Sequence, residues 1–276
     1  MNRFFFIFFI IIFFHGSVGN ATVEDQLVIA GTGDSQEVVR QLARLFETTH
    51  PGTSISVPDS VGSSGGIKRL IAGTVGLART ARKLKPKEQG YGFTETVFAL
   101  SPVVFATNTN QTKVTNITKD DILKLYDGTI KNWNEIGGED HKMYVINREF
   151  GDSSRQIIDA YLTSTSNETI NIPDGGKVLY STQEAAEAIE RHLNTIGYVT
   201  QPIAKKLQLN ILSVDSIVPS SQNVQSKKYK LVTELYLVTP ANPSKLATAF
   251  VTFVQETAAQ EVISSLGIVP VKSFSK

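Results

Sequence analysis

The 276-residue chain contains no cysteine, which excludes disulfide bonds, thiolate metal sites and a lipid-modified cysteine at a cleavage point. Histidine is scarce, with four in the chain and no His-Glu-x-x-His spacing to indicate a zinc site. The chain also lacks an excess of either charge, because its 27 Lys and Arg are balanced by 26 Asp and Glu. The balance argues against broad nucleic-acid binding, and no cofactor is indicated.

The first 14 residues differ from the rest and hold seven of the 15 phenylalanines. Arg3 precedes an unbroken apolar run from Phe4 to Phe14, and small residues follow up to Ala21. This pattern predicts a signal peptide over residues 1–21, cleaved near Ala21. A membrane anchor is disfavoured, because 11 apolar residues at ~1.5 Å each span about half of a ~30 Å hydrocarbon core. We therefore expect a periplasmic or secreted protein that is not a lipoprotein and is neutral after cleavage.

The mature part alternates short β-branched runs with helical patterns, which is typical of an α/β architecture. A hydrophobic share of 41% excludes disordered, collagen-like and coiled-coil chains. Two long segments are rich in β-forming residues, and each could carry the chain between two lobes. They are Val97 to Thr107 and Tyr229 to Thr239. The predicted division is residues 22–103 with 235–276 for the first lobe and 104–234 for the second.

Capping patterns predict where several helices begin. Asp34 with Glu37, Thr118 with Asp121, and Ser181 with Glu184 each have the spacing of a helix N-terminus. Asn242-Pro243 predicts the start of one long last helix that ends at Leu266-Gly267.

Three loops rich in glycine and serine follow predicted strands and precede predicted helices. They are Gly31 to Ser35, Gly62 to Gly66 and Gly151 to Ser154. A helix that begins after a strand offers unpaired backbone N–H groups and a partial positive charge, so it can hold an oxyanion. Each loop alone is most often an ordinary turn and cap. Together the three loops predict one shared anion site.

Arginine would complement such a site, because its planar guanidinium can donate two parallel hydrogen bonds to an oxyanion. The candidates are Arg79, Arg82, Arg148 and Arg155, of which Arg148 directly precedes the third loop. An enzyme hypothesis also stays open, because the second loop fits the nucleophile pattern Gly-x-Ser-x-Gly around Ser64. A hydrolase would need His141 or His192 as its base, and His192 more often belongs to a solvent-facing helix surface.

The motifs carry a resemblance that runs through nearly all of the mature chain. The stretch from Ser60 to Val75, the stretch from Leu123 to Trp133, Ile196-Gly197-Tyr198-Val199 and the opening Gly31-Thr32-Gly33 are similar to the substrate-binding proteins of phosphate ABC importers. The resemblance implies the type II periplasmic binding protein fold, with two lobes, each a mixed β-sheet flanked by helices, and a ligand cleft between them. It further implies a monomer that captures phosphate without catalysis and presents it to a membrane permease.

The resemblance also implies which residues bind the ligand. The binding groups of the family fall on Ser35, Ser63, Arg148, Ser153 and Ser154, and the neighbouring positions Gly33, Ser64, Arg79 and Asp152 complete the candidate set. Where the family has an acid that accepts the proton of bound phosphate, this chain has Ala81. We therefore expect Asp152 to be the acceptor, or the site to favour a different oxyanion. A secreted hydrolase and a binding or adhesion module that has left transport remain alternatives.

Overall fold

The computed structural model describes residues 25–108, 113–164 and 175–271. Its strands are β1 (Asp25–Gly31), β2 (Thr53–Ser56), β3 (Leu77–Thr80), β4 (Thr94–Thr107), β5 (Asn116–Ile117), β6 (Tyr144–Arg148), β7 (Lys177–Leu179), β8 (Thr195–Thr200), β9 (Asn210–Ile211), β10 (Ser213–Val214), β11 (Val232–Thr239) and β12 (Val269–Pro270). Its helices are α1 (Gln36–Thr49), α2 (Gly62–Ile71), α3 (Lys119–Tyr126), α4 (Ser153–Thr163), α5 (Thr182–Arg191), α6 (Gln201–Lys206), α7 (Ser221–Gln225), α8 (Lys245–Phe253) and α9 (Thr257–Ser265), with 3₁₀ turns at Pro86–Tyr91 and Trp133–Ile136. The predicted signal peptide lies outside the described residues. Within the described part of the chain, no helix is long and apolar enough to cross a membrane.

The main sheet has the order β2-β1-β3-β11-β4-β8-β6-β7. Two parallel groups, β2-β1-β3 and β8-β6-β7, lie on either side of an antiparallel centre formed by β11 and β4. The alternation of strands with helices produces the parallel groups, since a crossover helix returns the chain to the same end of the sheet. The mixed α/β class expected from the sequence is confirmed.

Both faces of the first parallel group are covered. Along β1, Leu27 and Ile29 pack with α1, α8 and α9, while Ala30 on the other face packs with Ile67 and Leu70 of α2. The alternation follows from the two-residue period of a strand. Phe46 of α1 is fully buried in the first of these clusters, and its ring contacts the rings of His50, Phe250 and Phe253.

The second parallel group has its own apolar cluster, in which Trp133 is fully buried. The indole N–H of Trp133 donates to the carbonyl oxygen of Asn194 at 3.0 Å. Around it pack Phe105 of β4, Tyr126 of α3 and Tyr198 of β8. Each parallel group therefore has apolar clusters of its own on one continuous sheet, which is the two-lobed architecture expected from the sequence.

Strand β4 passes from one lobe to the other. Its residues Thr94–Pro102 pair with β11, whereas Val103–Thr107 pair with β8, and the N–H of Val103 donates to the carbonyl oxygen of Leu231 at 2.8 Å. The exact division at residues 103/104 and 234/235 stays a prediction. The change of partner in β4 supports it, because the chain crosses between the cores at this point.

The predicted helix starts fare differently. Thr118 and Ser181 are the N-caps of α3 and α5, and each side chain accepts from the backbone N–H three residues on. The prediction for Asp34 is wrong, because Ser35 is the N-cap of α1 and Asp34 points elsewhere. The single long last helix is also wrong, since α8 and α9 are separate helices, each with its own start.

Candidate functional site

The first loop follows β1 and leads into α1. Asp34 and Ser35 are both buried, and the Asp34 N–H donates to the hydroxyl of Thr32 at 3.3 Å. The Ser35 hydroxyl makes no cap hydrogen bond to its own helix. Gly31 has to be glycine, because a Cβ there would lie 1.9 Å from the carbonyl oxygen of Arg79 on the neighbouring strand.

The second loop forms the first turn of α2. The Ser63 hydroxyl accepts from the backbone N–H of Ala81 at 3.1 Å, and the Ser64 hydroxyl accepts from Nη2 of Arg82 at 3.0 Å. Arg82 also forms an ion pair with Glu88 at 2.8 Å. Backbone and guanidinium donors from the end of β3 thus fix both serines in place.

The third loop joins β6 to α4 in the second lobe. Asp152 is the N-cap of α4, and its Oδ1 accepts from the backbone N–H groups of Ser154 and Arg155 at 3.0 and 3.1 Å. Its Oδ2 lies 2.8 Å from Nη2 of Arg148. Arg148 donates further to the carbonyl oxygen of Leu179 and to the Thr182 hydroxyl, at 3.1 and 3.0 Å. A guanidinium has five N–H groups, and these three bonds use three of them. Two N–H groups therefore remain for a ligand.

The three loops meet across the cleft between the lobes. The Ser63 and Ser153 hydroxyl oxygens are 3.4 Å apart, although 90 residues separate them in sequence. Thr182 at the start of α5 donates its hydroxyl hydrogen to Oδ1 of Asp34 at 2.9 Å, which joins the lobes a second time.

A cavity of about 150 Å³ lies between the loops. It is lined by Thr32, Gly33, Ser60, Val61, Gly62, Ser63, Ser64, Arg82, Arg148, Glu149, Gly151, Asp152, Ser153, Tyr180 and Thr182. The lining includes the first residues of α2, α4 and α5 and the loop that leads into α1. Three helix N-termini therefore bring partial positive charge to one small space, which suits an anion.

Three buried polar atoms beside this cavity make no hydrogen bond of normal geometry within the described part of the chain. They are Oδ2 of Asp34 and the hydroxyl oxygens of Ser35 and Ser154. Buried polar groups are nearly always hydrogen-bonded, and leaving one unpaired costs about 1–3 kcal/mol. The Ser154 hydroxyl lies close enough to the Asp34 carboxyl to lower its pKa, so these two groups face each other between the lobes, and the Ser35 hydroxyl is the group to which the described residues offer no partner.

The Asp34 carboxyl has an unusual protonation equilibrium. Burial and, after it, the nearby Asp152 carboxylate raise its pKa from 3.8, and the net value is about 6. The Arg148 guanidinium and the hydroxyls of Thr182 and Ser154 act in the opposite direction. Near neutral pH the cleft therefore contains two carboxylates and one guanidinium close together.

The sequence-predicted residues divide into three groups. Gly33, Ser63, Ser64, Arg148, Asp152 and Ser153 line the cavity, while Ser35 and Ser154 are buried beside it. Arg79 lies apart, because its Nη2 donates to Gln36 and to the carbonyl oxygen of Pro58. Burial and the nearby Arg40 lower the pKa of Arg79 to about 10.

Sequence reasoning missed Asp34 and Thr182 as site residues and did not commit to Arg82. The signal at Asp34 is a carboxylate inside a Gly/Ser loop, but its spacing to Glu37 favours helix capping. Thr182 carried none, because its hydroxyl reaches the cleft only when the lobes meet.

The hydrolase hypothesis gains no base from the geometry. Within the described residues, no histidine lines the cavity, and the Ser64 hydroxyl accepts from Arg82. His141 lies beside Glu139, and His192 lines a different surface groove. No group of three or more His, Cys, Asp or Glu in the described ranges could hold a metal ion.

Known proteins share this sequence pattern and fold. The phosphate-binding protein PstS of Borreliella burgdorferi is 29% identical over 261 residues, covering 92% of this chain and 93% of that protein. The PstS protein of Bacillus subtilis is 24% identical over 256 residues, covering 92% of this chain and 83% of its own length. A Clostridium perfringens structure, assigned as a phosphate ABC transporter substrate-binding protein with bound phosphate, matches 90% of this chain and all of its own, with a TM-score of 0.79 and 24% identity.

The family assignment rests on most of the chain rather than on the loops alone. The family model for the PBP superfamily domain matches residues 16–257, which include all three loops. The chain belongs to the PBP superfamily.

Proposed function

We propose that this chain binds inorganic phosphate, or a closely related tetrahedral oxyanion, between its lobes and delivers it to the permease of an ABC importer. The observation that carries the proposal is the small cavity between the lobes, which is lined by three helix N-termini and by the Arg148 guanidinium. The names of the PstS relatives and of the phosphate-bound structure support the choice of anion. No catalytic step is assigned.

The cavity favours an ion with several acceptor oxygens and a proton of its own. Arg148 and the N–H groups of the helix starts supply donors, whereas Asp152, Glu149 and Asp34 limit the positive charge. Arg82 is held by Glu88, so its charge is largely compensated. Recognition then depends on matched hydrogen bonds more than on net attraction.

Closure of the two lobes would complete the site. Ser63 and the first loop belong to one lobe, while Arg148, Ser153 and Thr182 belong to the other. The anion therefore binds the closed arrangement better than an open one, and it shifts the population toward closure. The crossing at β4 and at the segment before β11 would be the hinge.

The proposal includes export and a partner. Cleavage near Ala21 would release a mature, monomeric protein outside the cytoplasm, and the closed lobes would dock on the permease. Delivery requires the permease to prefer the closed, loaded protein, because otherwise binding would not lead to transport.

A thermal unfolding series of the mature protein tests the proposal. Phosphate, arsenate, sulfate and molybdate are added separately, and the shift in Tm is measured for the native chain, Arg148→Met and Arg40→Gln. At about 100 times its dissociation constant, a ligand stabilises by roughly 2.7 kcal/mol. We expect phosphate to raise the Tm of the native chain and of Arg40→Gln, which lies at the surface in an ion pair with Asp59. Arg148→Met should lose the shift.

The outcome that contradicts the proposal is a Tm that none of the four oxyanions changes. A second assay covers the enzyme hypothesis by measuring phosphate released from an aryl phosphate ester. Release that disappears in Ser64→Ala would replace the transport proposal by a hydrolase.

A further inference from the structure

We propose that a groove on the second lobe binds a single-chain amphiphile with an anionic head group, such as a fatty acid. The groove lies at the end of the sheet opposite the cleft and has a volume of about 680 Å³, compared with about 150 Å³ for the cleft cavity. Among the described residues the two spaces share no lining side chain. The inference therefore goes beyond the proposed function and does not depend on it.

The groove is formed at the amino ends of three strands. Tyr144, Lys177 and Thr195, the first residues of β6, β7 and β8, all line it. The cleft cavity lies at the other end of β6, because Arg148 is the last residue of that strand. The five residues of β6, at ~3.3 Å each, put these two ends about 13 Å apart. A molecule in the groove would therefore leave the cleft open to its own ligand.

The floor of the groove is apolar and belongs to the core of the second lobe. Its buried members are Leu125, Ile130, Met143 and Ile146. Two large apolar side chains stand at the rim, since Tyr144 is 52% and Leu193 56% exposed. Apolar surface that continues from a concave floor to an exposed rim is typical of a binding site. The volume also lies within the range of roughly 300–1,000 Å³ that is usual for small-molecule pockets.

The lining of the groove is positively charged. It contains five basic side chains and, among the described residues, no acidic one; the five are Lys131, Lys142, Lys177, Arg191 and His192. The cleft cavity differs, because two carboxylates and two guanidinium groups line it together. The whole chain has a net charge of only +1, so the positive charge of the groove is a local concentration. An anion is therefore the complementary ligand.

Two of these cations have no acidic partner. Lys142 and Lys177 are exposed, and neither forms an ion pair within the described ranges. The ammonium group of Lys142 lies 5.3 Å from the centre of the Tyr144 ring, which places a positive charge beside the apolar rim. Arg191 contributes less, because its guanidinium is paired with Glu187. The head group of an anionic ligand would therefore lie between the two lysines.

The combination of charge and apolar surface selects the class of ligand. A lysine lays its methylene stem along apolar surface and keeps its ammonium group in water, so the charges belong to the rim and the apolar area to the floor. A small inorganic anion would leave the floor uncovered, and the flat surface of a bilayer would not reach the floor of a concave groove. A single-chain amphiphile satisfies both parts, with its head group at the rim and its tail on the floor.

Isothermal titration of the mature protein with octanoate, decanoate and dodecanoate, each below its micelle concentration, tests the inference. The affinity should rise about fourfold for each added methylene group, because each one buries further apolar surface. Decanol has a tail of the same length without a charge and should bind more weakly than decanoate. Decyltrimethylammonium should bind more weakly still, and added salt should weaken decanoate binding by screening the lysines.

Substitutions at the rim test the tail and head contacts separately. Leu193→Gln should weaken all three carboxylates about tenfold or more, because apolar contact is lost. Lys142→Gln combined with Lys177→Gln should remove the preference for decanoate over decanol. The matched controls are Val218→Gln, at a side chain 53% exposed, and Lys245→Gln, at an exposed lysine of α8; neither residue lines the groove. Both controls should bind as the native chain does, and equal urea midpoints show that all variants are folded.

Each other outcome contradicts the inference in a recognisable way. Absence of binding, or an equal loss in the control variants, overturns it. Decanoate that displaces phosphate would lie in the cleft rather than in the groove. Binding to phosphatidylglycerol vesicles without binding to free carboxylates would replace the amphiphile by a membrane surface. A native chain that binds decanoate but no oxyanion refutes the proposed function alone, so the two failures are distinguishable.

Discussion

The pair formed by Arg148 and Asp152 makes a strong prediction about stability that is independent of any ligand. Both side chains are nearly buried, with exposures of 4% and 10%, and their atoms Nη2 and Oδ2 are 2.8 Å apart. Removing one partner of a buried pair leaves an uncompensated charge and typically costs 3–5 kcal/mol. Arg148→Met should therefore lower the free energy of unfolding by about 3–5 kcal/mol.

Adding Asp152→Asn to Arg148→Met tests whether the loss of stability comes from the unpaired buried charge. In Arg148→Met with Asp152→Asn, no buried charge is left unpaired, and Asn caps a helix as well as Asp does. The double variant should recover part of the loss. The single and double variants thus form a double-mutant cycle with a coupling free energy of about 1–3 kcal/mol.

Urea unfolding of the phosphate-free protein, followed by circular dichroism, measures the cycle. The two single losses would add if the pair did not interact, and additivity within about 0.5 kcal/mol would refute the reasoning. Phosphate binding should stay absent in the double variant, because the cap is restored but the guanidinium is not. Stability and binding are thereby separated at one site.

Three further predictions concern the core, a close contact and pH. Phe46→Ala should lower the free energy of unfolding by about 3–5 kcal/mol in urea titrations, while exposed Leu193→Ala should change it by less than about 0.5 kcal/mol. Gly66→Ala should destabilise by about 1–3 kcal/mol, because its Cβ would lie 2.7 Å from the Cα of Gly31; Gly90→Ala has open space and should be near neutral, and equal unfolding midpoints would contradict this. The native Asp34 binds its proton more tightly than in the unfolded chain, so stability without ligand should fall as pH rises from 3.8 to about 6. Asp34→Asn should remove this decline and be more stable at pH 8 by up to about 3 kcal/mol, and an unchanged pH profile of Tm would be the contrary result.

The sequence predicted the loops of the site because their positions follow from local rules. A strand, a small polar loop and a helix start recur three times, and the strand ends lie at one edge of the cleft. Ser63, Ser153 and Arg148 meet there, as the pattern indicated. The sequence also predicted the helix starts with a Ser or Thr cap at Thr118 and Ser181.

The remaining contacts of the site depend on tertiary packing, which the sequence alone does not predict. Asp34 and Thr182 are 148 residues apart, and their contact exists only because two separately built lobes close on each other. Arg79 shows a different failure. It shares the strand face of Leu77 and Ala81, which packs into the first lobe's core, so the two-residue period of β3 already argued against a place in the cleft.

Trp133 is the chain's one tryptophan, and it does not line the cavity. It lies in the core of the second lobe with its indole N–H bonded to Asn194. Ligand binding should therefore leave its fluorescence unchanged, whereas unfolding of the second lobe should change it. Loss of order confined to the other half would be silent to this probe, so fluorescence and circular dichroism curves that diverge would reveal that the halves come apart at different denaturant concentrations.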